Sequence, residues 1–311
     1  MKAQIASIAA LTGLFCGALS AADQQLLNLV MPDVKVMADI NVAQAKNSPF
    51  GQYVLAQAET KDLTELAALT GFDPTKDVNE LLVAGTGAQH SGLALALGNF
   101  SVASITGAIS QQGKVTTETY GGVTIYEDPK QEGGLAFLNS STAVAGDVAS
   151  VKAAIDRLSA PSILPASLMT EIGRLSAAND AWVLTTVPPS SLKPSASAPS
   201  VPGVGNGAQN AFHAVQSASA GIKFGANVVL TVVAQADNAQ DAASIVQLIQ
   251  FFVNMAQLKA ADEPQVQALA KALAVSASGA TVNVLLSLPS AQFQELVQPK
   301  AAAHHRAATA H

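Results

Sequence analysis

The chain has 311 residues, of which 49% are hydrophobic and 12% charged, with a formal charge of −6 and a single cysteine. An acidic balance without clustered Lys and Arg excludes nucleic acid as a partner, because phosphate binding depends on such clusters. The charged fraction is about half the usual quarter, so Ala, Ser, Thr, Gln and Asn must supply much of the surface; the high apolar content with clear periodicity excludes general disorder.

Residues 1–22 read as an export signal: Lys2 is the charged start, 5–19 the apolar core, and Ser20-Ala21-Ala22 the small residues preceding cleavage before Asp23. The apolar core is shorter than the roughly 20 residues a spanning helix needs, so no membrane span is expected after cleavage. Phe15 stands before Cys16, where a lipoprotein needs a small residue. Cys16 leaves with the signal, and the mature chain has no disulfide, thiol nucleophile or thiolate metal site. Its 289 residues, charge −7 after loss of Lys2, suffice for one large domain or two ordinary ones.

A helix is expected over 24–30 and a strand over 34–40. Ser48-Pro49 starts a helix carrying Phe50, Tyr53, Val54 and Ala58. Asp62 and Glu65 resemble a capping box, with Gly71 ending that helix, and Asp73-Pro74 opens a turn toward Leu81. Strands are predicted over 81–84 and 93–97, a helix over 101–110, then strands over 115–120, 123–127, 135–138 and 142–145. Gly121-Gly122 suits a two-residue hairpin, and Asp147 caps a helix over 148–158.

After a proline-bounded connection, 159–165, come a helix over 167–177 and a strand over 181–187. Residues 188–207, rich in Pro, Ser and Gly, read as a flexible loop, followed by a helix near 209–215 and a strand over 218–224. A strand over 227–235 then feeds, through Asp237 or Asn238 as cap, the longest amphipathic helix, over 239–258. Its Ile245, Leu248, Ile249, Phe252 and Met255 share one face, and burying them against a sheet would contribute about 10 kcal/mol gross. A helix over 264–273, a hairpin of 274–278 and 281–288 about Gly279, a helix over 290–297 and a disordered tail complete the chain.

In both halves a strand, a helix and a hairpin follow one another, with an extra helix in the second. The expected fold is α+β, two similar modules, each an antiparallel sheet covered on one face by helices. The divisions are 1–22 signal, 23–160 first module, 161–298 second module and 299–311 tail.

The stretch LLNLVMPDVKVMADINVAQAKNSPFGQYVL from Leu26 to Leu55, with TGFDPTKDVNELL (Thr70 to Leu82), GGVTIY (Gly121 to Tyr126) and AVAGDVASVKAAIDR (Ala143 to Arg157), is similar to a group of exported bacterial proteins without an established function. The resemblance covers most of the mature chain. Its motifs are caps, turns and strand ends, so it implies export and fold and brings no catalytic residue.

Catalytic constellations are missing. There is no Gly-x-Ser-x-Gly elbow. In GAISQQGKV, Gly107 to Val115, five residues separate the glycines where a phosphate loop has four, and Val115 replaces its Ser or Thr, so a helix end with Gly113 is the better reading. Gly85-Thr86-Gly87 is a turn. His90 and His213 are isolated, and His304, His305 and His311 lie in the tail without a carboxylate beside them. Asp73, Asp77 and Glu80 lack calcium-loop spacing, Asp147 is a cap, and Trp182 alternates inward with Leu184. No enzyme, cofactor or metal is expected. The leading function is therefore an exported, periplasmic or extracellular, non-catalytic protein that binds a partner protein or cell surface through sheet edges and an uncharged face. The alternative is a periplasmic carrier of an apolar ligand such as a lipid, held between sheet and helix by Phe224, Phe251, Phe252, Met255 and Phe293.

Overall fold

Several strands of this chain are apolar on both of their faces, and a strand of that kind demands cover on both sides. The structure, a computed structural model, describes residues 22–58, 64, 67–68, 70–88, 91–111, 115–128, 133–191, 214–259 and 264–297. Helix α1 (Gln24–Leu27) precedes strand β1 (Val36–Asn41). Helices α2 (Val42–Ala45), α3 (Pro49–Ala58) and the one-turn α4 (Pro74–Asp77) lead into β2 (Val78–Gly85) and β3 (Gly92–Gly98). Helix α5 (Val102–Gln111) crosses the sheet to a meander of β4 (Thr116–Tyr120), β5 (Val123–Asp128), β6 (Gly133–Phe137) and β7 (Thr142–Asp147). Then come α6 (Val148–Asp156), α7 (Ala166–Ala178), β8 (Ala181–Thr185), β9 (Val215–Lys223) and β10 (Asn227–Ala236). Helices α8 (Ala239–Lys259) and α9 (Pro264–Ala272), the hairpin β11 (Leu273–Ser278) and β12 (Thr281–Pro289), and α10 (Ser290–Val297) finish the fold.

The twelve strands among the described residues form one antiparallel sheet in the order β11-β12-β10-β9-β8-β1-β2-β3-β7-β6-β5-β4. The two halves, whose sheets could sit side by side or share an edge, meet at the β1–β8 ladder, where Met37 opposes Leu184 and Asp39 opposes Trp182. Local chemistry sets the corners. Asp147 accepts from the Ser150 N–H at 2.8 Å and Asn238 from that of Asp241 at 3.0 Å, so both expected caps form. Gly121 and Gly122 turn between β4 and β5 with φ of +55° and +80°, the sign a type I′ hairpin requires at both positions.

On one face, Met37, Leu82, Leu93, Leu95, Val144, Trp182 and Leu184 pack against α1, α6 and α7 as the largest core. On the other, Val78 and Ala143 pack with Ile105 and Phe100, under α2, α3 and α5, while Ala236 and Val282 pack under α8. Cover is thus two-sided, in contrast to the expected one-sided layer, because alternate residues on the central strands are apolar in both directions.

Two expected boundaries move, and one expected face is only partly covered. β9 opens at Val215, inside the helix expected over 209–215; residues 209–213 lie outside the described ones, as do 1–21, most of the 188–207 loop, the 298–311 tail, and His90 and His213. Helix α1 ends at Leu27 instead of residue 30. Helix α8 buries Ala242, Ile245 and Val246 in its first half, but Phe251 (55%), Phe252 (37%) and Leu258 (81%) are exposed in its second, so the five-residue buried face is only partly realised.

Candidate functional site

The central strands carry large side chains on one face and small ones on the other. In β3, Leu93, Leu95 and Leu97 point to the main core, and Ala94 and Ala96 point away from it. In β7, Ala143 and Ala145 lie beside Ala96 and Ala94 in register. A helix laid over this alanine floor is held off by the taller residues around it and cannot fill the space beneath.

The outcome is a cavity of about 490 Å³, between the floor and a roof of Val54 and Leu55 of α3, Ile105 and Ile109 of α5, and Phe72. Phe72, Phe100 and Phe137 form a continuous aromatic wall, with ring centroids 5.5 Å and 5.6 Å apart. Ile40, Val42, Val78, Leu81 and Leu135 complete the sides, and among the described residues Thr75 is the only lining residue with a polar side chain. Leu81 is 37% exposed where the cavity meets the surface. Across the strands from it the apolar face continues through Val83, Ala38 and Val183, Val83 being 44% exposed. Such a space takes an uncharged hydrocarbon and offers no charge partner to an ion.

The five residues expected to line a ligand site are not brought together. Phe224 and Phe293 pack on Phe50, at 5.6 Å and 5.0 Å, in a separate cluster with Val228. Phe251 and Phe252 stack edge to face at 5.7 Å on the outside of α8, and Met255 is half-buried on the same helix. None of the five lines the large cavity. The sequence signal for this cavity is the Leu-Ala alternation of residues 93–97 and the small residues at 143 and 145, a pattern easily read only as strand.

On the opposite face lie two buried carboxyls. Asp39 of β1 and Glu80 of β2 are each 7% exposed and share a hydrogen bond, and Glu80 Oε1 also accepts from the backbone N–H of Asp23 at 2.8 Å. Burial, and then the charge of Glu80, push the Asp39 carboxyl up to about 8. Burial likewise raises Glu80 above the usual carboxylate range, opposed by the Asp23 N–H. Asp39 Oδ2 and Trp182 Nε1 have no partner. Both carboxyls lie on the main-core face of the sheet, where Asp39 opposes Leu82 on one side and Trp182 on the other. Among the described residues no three metal-ligating side chains converge, and no helix is long and apolar enough to cross a membrane.

No protein-family model and no curated protein matches the chain. Solved structures do. Crystal form III of TP0453 is similar with a TM-score of 0.57 at 11% identity, covering 87% of this chain and 96% of that one. Crystal form IV gives 0.54 at 10%, over 88% and 96%, and crystal form I gives 0.52 at 12%, over 87% and 95%. At such identities the likeness is one of fold: an α+β arrangement about an antiparallel sheet.

Proposed function

We propose that the protein is an exported, non-catalytic carrier of an uncharged apolar molecule, held in the cavity between the alanine floor and helices α3 and α5. The observation that supports this most directly is the cavity itself. Its 490 Å³ lies in the range of about 300–1,000 Å³ typical of small-molecule sites, and its apolar walls would stabilise a bound hydrocarbon by about 25 cal/mol per Å² of surface removed from water. Export rests on the leader-like residues 1–22 and on the resemblance to exported proteins. The expected sheet-edge interaction keeps one feature in its favour, since edge strand β11 carries neither proline nor charge.

The two halves are further proposed to derive from duplication, with 23–160 and 161–298 as the repeats. Supporting this, β1-β2-β3 and β8-β9-β10 are both meanders running outward from the β1–β8 seam. In each half the third strand is followed by a helix that crosses the same face to the outermost edge strand, β4 or β11, from which the chain winds back.

The carrier reading is tested with N-phenyl-1-naphthylamine, whose fluorescence rises in apolar surroundings. Saturable binding is expected in the parent chain, weakened at least tenfold in Ala96→Phe, which fills the cavity from its floor. Non-saturable binding, or binding equal in parent and variant, would remove the reading.

A further inference from the structure

We propose that removal of the leader between Ala22 and Asp23 creates a part-buried ion pair, the new α-ammonium of Asp23 against the carboxylate of Glu80, and that this contact locks the N-terminus of the mature protein into the sheet. The inference rests on the export reading of residues 1–22 and is independent of the cavity. Small residues at 20, 21 and 22 put the scissile bond before Asp23, and the nitrogen of that bond lies 2.8 Å from Glu80 Oε1. Hydrolysis by a leader peptidase adds water across the Ala22–Asp23 amide. The leader departs with the Ala22 carboxylate, and the Asp23 nitrogen takes up protons to become an ammonium; nothing is oxidised or reduced.

The surroundings of that nitrogen call for a cation. Glu80 and Asp39 are buried together, and among the described residues the charges acting on them are their own and that of the Asp23 side chain, all of one sign. The Asp23 carboxylate is itself engaged, accepting from Gln25 N at 2.7 Å as the cap of α1. An amide supplies one N–H and no charge. An ammonium supplies three donors and a full positive charge to a pair in which Asp39 Oδ2 lacks a partner. Residues following Asp23 hold it in place: Leu26, Leu27, Leu29 and Val30 are buried in the main core, and Gln25 donates to Thr142 Oγ1 at 2.8 Å.

The test begins with N-terminal sequencing of the chain purified after export, which is expected to start at Asp23. Its amine is then titrated by pH-dependent acetylation read by mass spectrometry; pairing should raise its midpoint above 9, from the ordinary value of about 8. A second chain carrying Gly-Ser between Ala22 and Asp23 should start two residues earlier, show an ordinary amine, and melt several degrees lower, and Glu80→Gln should abolish that difference. An Asp23 start with a freely reactive amine of ordinary midpoint overturns the ion pair while leaving export intact. A different first residue overturns the cleavage site and the pairing together.

Discussion

Asp39 shows how much one buried side chain can impose. Its carboxyl sits at about 8 in the folded chain and near 3.8 when unfolded, so between these values the folded state holds a proton that the unfolded state has released. Stability therefore falls as pH rises through this window, by an amount on the order of a few kcal/mol. In a chain extended before Asp23, where the facing nitrogen is an amide, the melting temperature should drop steadily from pH 5 to 8. Asp39→Asn should flatten that slope, and an unchanged slope would assign it to other groups. The cap at Asp147, and that at Asp237 or Asn238, could be read from the sequence because a cap is written within four residues. Nothing local marks Asp39 and Glu80 as a pair, because their meeting depends on two strands pairing.

At the scale of the element, α8 separates propensity from packing. Its periodicity and its Asn238 cap were legible in the sequence, and the helix forms over Ala239–Lys259. How far it would be covered was not, because helix length follows local preference while burial depends on where the sheet ends; β11 is the edge strand, and the second half of α8 leaves Phe251 and Phe252 exposed. Ile245→Ala should cost roughly 2–5 kcal/mol in denaturant unfolding, since Ile245 is 3% exposed. Phe251→Ser should stay within about 0.5 kcal/mol. Equal losses at both positions would mean that the tip of the helix is covered in solution.

For the whole molecule, the seam between β1 and β8 decides cooperativity. The main core crosses it, joining Leu82 and Leu95 to Leu168, Ile172, Leu175 and Trp182. A chain limited to 23–160 would expose the β1 edge and an uncovered side of that core, and one limited to 161–298 would expose β8. Neither half alone is expected to give a sigmoidal thermal transition, whereas the joined chain should unfold in one. Two independently melting halves would show that the shared core contributes little.

The sequence by itself determined what depends on neighbours along the chain: strands from alternation, the turn at Gly121-Gly122, and helix starts from Asp147 and from Asp237 or Asn238. The fusion of the halves into one sheet, the cavity above Ala94, Ala96, Ala143 and Ala145, the dispersal of the five expected ligand residues, and the burial of Asp39 against Glu80 were decided only by tertiary structure. Each of these joins residues tens to more than a hundred positions apart, and strand order, register and the height of facing side chains are properties of pairs that no local pattern encodes.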